Sequence, residues 1–106
     1  MKALNTMLAV LAGAAIAAPA MADDKEAEAL AKKNNCLACH TVDKKSVGPA
    51  YKDIAKKYKG QADAAAKLQE KVKKGGQGVW GPVPMPPNAA VSDKDIKEIV
   101  EWVLRL

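Results

Sequence analysis

At 106 residues the chain has room for one domain, and its core composition is thin: Phe is absent, Trp and Tyr number two each, and alanine supplies much of the 49% apolar content. A domain this small exposes much of its surface and commonly depends on a disulfide, a metal or another staple, so something besides side chains is expected to fill the interior. The formal charge of +5 does not indicate nucleic-acid binding, because the basic residues are spread over helical segments with no interleaved aromatic patch.

The N-terminus reads as a secretory leader. Lys2 precedes an apolar run, MLAVLAGAAIAA over Met7–Ala18, and Pro19 leads into the small-residue pattern Ala20-Met21-Ala22. The apolar run is short of the roughly 20 residues that a membrane-spanning helix needs. Residues 1–22 are therefore expected to be a cleaved signal peptide and residues 23–106 the mature domain. Cleavage removes only Lys2 from the charged residues, so the mature chain stays cationic.

Four helices are predicted in the mature chain, and no segment alternates with the period of a strand. Asp23-Asp24 offers a cap for a first helix through about Asn34, with Ala27, Leu30 and Ala31 on one face. Thr41 to Ala50 is loop, and YKDIAKKYKG is a short helix with Tyr51, Ile54, Ala55 and Tyr58 inward and Gly60 as its stop. A third helix is predicted from about Asp63 to Lys74, with Ala65, Leu68 and Val72 inward, ended by glycines. Ser92-Asp-Lys-Asp95 resembles a capping box for a last helix in which Ile96, Ile99, Val100 and Val103 recur at helical spacing. The loop before it, about sixteen residues long, is unusual for a compact domain, and such loops are often functional.

CLACH, Cys36 to His40, is the sharpest motif. A structural disulfide across so small a loop constrains little chain entropy. A thioredoxin-like site needs a strand-to-helix setting, and a zinc site normally needs four ligands, whereas Cys36, Cys39 and His40 are the only Cys and His residues. The chemistry favours covalent haem attachment: each thiol forms a thioether to a haem vinyl group, and the adjacent histidine lies under the iron. Thiol redox and zinc stay open beside it. Haem also answers the thin core, because a large, mostly apolar group supplies packing mass that the missing Phe residues do not.

The second concentrated signal is WGPVPMPPN, Trp80 to Asn88, with four of the six prolines and Met85 between Pro84 and Pro86. Proline excludes helix and central strand here and pushes each preceding residue towards extended geometry. With His40 already used, the candidates for a sixth iron ligand are Met85, a lysine, or nothing. A lone methionine is usually core filler, but a proline-locked loop is a poor place for a gap-filling side chain. A six-coordinate iron makes the protein an electron carrier. An open position makes it a gas sensor or peroxidase-like protein, and a haem-free chain a thiol–disulfide oxidoreductase.

CLACH, VGPAYKDIA, GVWGPVPMPPN and VSDKDIKEIVEWVL, in this order and spacing, resemble the small bacterial class I cytochromes c of the c-551/c-552 group, over essentially the whole mature chain. The resemblance implies an all-α, single-domain fold of about four helices around one covalently bound haem c, with the first and last helices crossing. It implies Cys36 and Cys39 as thioether anchors, and His40 and Met85 as axial ligands. Pro49 would accept a bond from His40 Nδ1–H, Trp80 would donate its indole N–H to a haem propionate, and Asn88 would sit near the Met85 sulfur. Read without the family, Trp80 is core, Pro49 a turn residue and Asn88 a loop terminator.

Two departures stand out. Lys71 occupies a position near the propionates where relatives often carry arginine, and it lacks arginine's rigid fork. Ala31 stands at the helix crossing where some relatives have an aromatic residue; either Trp102 from the last helix fills that space or the contact is weaker. The implied role is one-electron transfer in the periplasm, between a membrane quinol-oxidising complex and a terminal reductase or oxidase. It involves no catalysis, no nucleic acid and no stable membrane anchor, and a monomer is the default. Lysines 32, 33, 44, 45, 73 and 74 are candidates for steering acidic redox partners to the haem edge.

Overall fold

The computed structural model describes residues 21–106, so the expected leader lies outside the described residues except for its last two. Four helices follow in order: α1 (Met21–Lys33), α2 (Tyr51–Tyr58), α3 (Ala64–Lys74) and α4 (Asp93–Arg105), with a 3-10 turn at Cys36–Ala38 between the first two. The described residues contain no strand, only an isolated antiparallel bridge between Gly76 and Met85. The fold is all-α, as expected.

Helix α4 organises the rest, because α1, α2 and α3 all pack against it. Its inner face buries Ile96, Ile99, Val100, Trp102 and Val103. Ser92 caps it, the hydroxyl accepting from the Asp95 N–H at 3.2 Å. That satisfies one of the donors a helix N-terminus leaves free.

The crossing of α1 with α4 is made close by small residues. Ala27 and Ala31 are 1% and 0% exposed, and Trp102 lies with Ala31, Tyr51, Ile99 and Val103 in the same buried cluster. The indole thus occupies the space that an aromatic residue at position 31 would take. Helix α1 is already under way at Met21, so the Asp23-Asp24 pair lies inside it and not at its cap. The Asp24 carboxylate instead takes Arg105 from the far end of α4, at 2.6 Å from Nη2 and 3.2 Å from Nε. This exposed pair contributes on the order of 0–1 kcal/mol.

Helix α1 ends as Asn34 bonds back to the Leu30 carbonyl through both its backbone and side-chain nitrogens, at 3.0 and 2.9 Å. Asn35 then turns left-handed, with φ 63°. Asn is among the few non-glycine residues that adopt this conformation readily. The reversal delivers the chain into the 3-10 turn that begins at Cys36. After His40 the chain returns to α2, where the N–H groups of Tyr51 and Lys52 donate to the Thr41 and Val42 carbonyls at 2.8 and 3.0 Å. Ala50 has no side chain with which to cap this helix, and the loop carbonyls serve instead.

Candidate functional site

Cys36, Cys39 and His40 fall within one turn of backbone. The N–H groups of Cys39 and His40 both donate to the Cys36 carbonyl, at 3.2 and 3.0 Å. The two cysteines are half-exposed and not bonded to one another. Among the described residues no cluster of three or more Cys, His, Asp or Glu is arranged to hold a metal ion, which disfavours the zinc reading.

His40 is 9% exposed, and its Nδ1 lies 2.8 Å from the Pro49 carbonyl oxygen. A carbonyl can only accept, so Nδ1 carries a proton, and in the neutral ring Nε2 is the nitrogen with the free lone pair. The imidazole stacks on Tyr51, with centroids 5.0 Å apart and planes at 18°, and Tyr51 meets Trp102 edge-on at 5.6 Å. The ring is therefore braced through α2 to the inner face of α4. Burial, and secondarily the neighbouring Cys36 sulfur, push the Tyr51 hydroxyl far above its usual range, so it stays neutral. Burial likewise raises the Cys36 thiol.

Met85 lies on the loop between α3 and α4, which is tied back to α3 along much of its length. Gly76 and Met85 exchange backbone hydrogen bonds at 3.0 and 2.7 Å. Asn88 donates its N–H to the Val72 carbonyl at 3.0 Å, and its side-chain amide donates to Val72 and Pro86 carbonyls at 3.2 and 3.3 Å. The amide's hydrogen bonds thus run to backbone carbonyls. Lys73 closes the neck of the loop, its ammonium 2.8 Å from the Val91 carbonyl and 3.0 Å from Asp93.

Gly75 permits this seating. It has φ 77°, and a Cβ there would fall 2.5 Å from the Met85 carbonyl oxygen and 2.9 Å from Pro87 N. Only a residue without a side chain admits both that backbone conformation and that approach.

Trp80 is 43% exposed, on the loop that carries Met85. The cation beside it is Lys57 of α2, with Nζ 5.6 Å from the ring centroid, a contact the sequence reading missed. Nothing distinguishes Lys57 from the other lysines of α2 in the sequence. Lys71 curls over Gly76 instead: a Cβ on that glycine would meet its Nζ at 2.6 Å.

These residues fit a haem. Together these residues offer two thiols, one imidazole nitrogen and one thioether, with exposed apolar residues on the loops that carry Pro49 and Met85. Val47, on the loop that carries Pro49, and Val79, Trp80 and Val83, on the loop that carries Met85, are exposed large hydrophobic residues. Leu37, Val42 and Ile54 are only partly buried at the edge of the main core. Apolar side chains grouped on two ligand-bearing loops suit a broad apolar group.

Known proteins agree. The family model for cytochrome c matches residues 24–106. Cytochrome c-551 of Pseudomonas aeruginosa is 52% identical over 102 residues, covering 96% of this chain and 93% of its own. Cytochrome c-552 of Nitrosomonas europaea is 60% identical over 77 residues, covering 73% and 75%. The crystal structure of wild-type Nitrosomonas europaea cytochrome c552 superposes with a TM-score of 0.73 at 58% identity, over 74% of this chain and 98% of that one. The chain belongs to the cytochrome c family as a small class I member of the c-551/c-552 kind, an electron carrier and not an enzyme, with one covalently bound haem c.

Proposed function

We propose that the protein is a periplasmic carrier that moves single electrons between a membrane quinol-oxidising complex and a terminal reductase or oxidase. In this reading Cys36 and Cys39 are the thioether anchors, and His40 Nε2 and the Met85 sulfur are the axial ligands. The observation that carries it is the 2.8 Å bond between His40 Nδ1 and the Pro49 carbonyl. It leaves one nitrogen free for iron, beside the two thiols of the attachment motif.

Haem, when bound, supplies a one-electron ferric–ferrous couple. The chain's own residues tune it and protect it. Pro49 fixes the imidazole and raises the basicity of Nε2. A thioether ligand from Met85 favours the reduced state, and burial acts in the same direction. With both axial positions filled by protein, no substrate has a place to bind. The ties from α3 hold the Met85 backbone in one place in both oxidation states, which keeps reorganisation small.

Trp80 is proposed to donate its indole N–H to a propionate, with Lys71 and Lys57 supplying positive charge nearby. Asn88 supports Met85 through the loop backbone. Of the lysines considered for partner docking, Lys73 is engaged by Val91 and Asp93, and Lys74 lies 3.5 Å from Glu70. Lys44 and Lys45, exposed beside Val47, are freer to steer an acidic partner. Among the described residues no helix is long and apolar enough to cross a membrane.

An absorption spectrum tests the ligand set. Low-spin c-type bands with a weak far-red sulfur-to-iron band are expected, whereas high-spin features with fast carbon monoxide binding would remove Met85 from the iron. Mass spectrometry of the periplasmic fraction should give a haem-bearing chain that begins at Asp23.

A further inference from the structure

We infer that Gly48 is a positioning residue for His40, setting the orientation of the imidazole plane over the iron; this rests on His40 being an axial ligand. A Cβ at Gly48 would lie 2.6 Å from His40 Cε1, 2.9 Å from Nδ1 and 3.2 Å from Nε2. The two nitrogens would be almost as near as Cε1, which places the methyl group over the face of the ring and not in line with its edge. Approaches under 3 Å are closer than real Cβ contacts, so either ring or loop must move.

The backbone at Gly48 gives no separate reason for glycine, since its φ lies outside the left-handed region that disfavours other residues. Gly60, Gly78 and Gly81 are the reverse case: each has a positive φ and nothing within 4 Å of the Cβ position. At Gly48 the imidazole alone excludes a side chain.

The ring cannot yield cheaply. Its Nδ1 is held by Pro49, one residue beyond Gly48, and it stacks on Tyr51 at 5.0 Å. The Gly48 N–H itself donates to the Cys39 carbonyl at 2.7 Å, which fixes the glycine to the residue before the histidine. The loop thus meets the imidazole at two points, a carbonyl that accepts a hydrogen bond from its Nδ1–H and a bare Cα that lies against its face. Rotating the imidazole about its bond to iron changes which metal orbitals it overlaps, so its plane governs the distribution of unpaired spin in the ferric state. Partners that orient a ligand tune the metal in this way.

The test is Gly48→Ala in the haem-loaded protein, read by proton NMR of the ferric state. The low-spin spectrum should persist while the order and spread of the haem methyl shifts change, and His40 Nδ1–H should exchange with solvent faster. Gly60→Ala, which strains backbone without touching the imidazole, should lower stability and leave the methyl pattern as in wild type. An unchanged methyl pattern in loaded Gly48→Ala would overturn the inference. If Gly48→Ala does not load, adding Pro49→Gly gives the loop slack while keeping the carbonyl. Loading with an altered pattern then supports the inference, and either a wild-type pattern or failure of both variants to load overturns it. Failure of the ligand reading is separate: the wild-type protein would itself lack strongly shifted His40 ring protons.

Discussion

Gly76 and Met85 form a hydrogen-bonded antiparallel pair, each donating its N–H to the other's carbonyl. Opposed residues in such a pair project their side chains to the same side. Lys71, whose ammonium occupies the space a Gly76 side chain would fill, therefore lies on Met85's side of the bridge. The bridge also revises the role of the prolines, because the stiffness of the Met85 loop comes from the residues just after α3 as well as from Pro84 and Pro86.

Two variants separate these sources. Gly76→Pro deletes the N–H that donates to Met85, a loss of about 0.5–1.5 kcal/mol before any strain. Replacing both Pro84 and Pro86 with alanine releases roughly 0.4–1 kcal/mol per site of conformational restriction in the free loop. Each should weaken ferric Met85 ligation more than ferrous, because the iron–thioether bond is weaker in the ferric state. The pH at which the far-red band disappears measures this, and an unchanged value in the double proline variant would leave the bridge as the main constraint.

Asn88→Ala removes the amide bonds to Val72 and Pro86 but keeps the backbone bond to Val72. The expected cost is about 1 kcal/mol of stability by denaturant titration, with broadened Met85 methyl resonance. Lys73→Gln opens the neck of the loop at Val91 and Asp93 and should cost a similar amount, about 1 kcal/mol. A neutral Lys73→Gln would show that the bridge and Asn88 suffice.

Trp80→Phe keeps a ring beneath Lys57 while deleting the indole N–H. If the N–H serves a propionate, this variant shifts the pH dependence of the reduction potential. Lys57→Gln costs the cation–π contact, about 0.5–1 kcal/mol at an exposed site. Lys71→Gln should lower the potential slightly, since removing a nearby cation favours ferric iron, by less than about 1 kcal/mol in a water-like dielectric. Voltammetry across pH reads the Trp80 and Lys71 variants, and denaturant titration reads Lys57→Gln.

Tyr51 gives a pH prediction with a definite sign. Its folded pKa is raised mainly by burial, a cause that persists once Cys36 is alkylated. The unfolded chain ionises Tyr near pH ~10 while the folded one does not, so stability is fully present below that pH and falls as pH rises above it. Tyr51→Phe should flatten this alkaline decline in the denaturation midpoint, and an unaltered slope would assign it to other groups.

Cys36→Ser with Cys39→Ser prevents covalent attachment. With no Phe, and with alanines at the α1–α4 crossing, the chain left behind should be largely unfolded by circular dichroism. A native-like spectrum would show that the helices hold without the cofactor.

The sequence was most legible where one rule acts over several residues. The spacing of Ile96, Ile99, Val100 and Val103 marks the buried face of α4, and Ser92 marks its start. CLACH was legible because its chemistry is local. The ties on Met85 were not: a two-residue bridge has no periodicity, and the bonds from Asn88 to Val72 span 16 positions. The start of α1 was misplaced because two aspartates look like caps wherever they fall, and one of them serves Arg105.

That α4 receives all three other helices has a further consequence. In the proposed ligand set, His40 is braced through Tyr51 of α2 and the Met85 loop is tied to Val72 and Lys73 of α3, so the two ligands would hang from different struts of one beam. A change within α3 or its loop acts on Met85 and leaves the imidazole side in place. A change on the inner face of α4, at Ile99 or Trp102, transmits to both. With that ligand set, the potential would be adjustable through either ligand separately, from one face at a time.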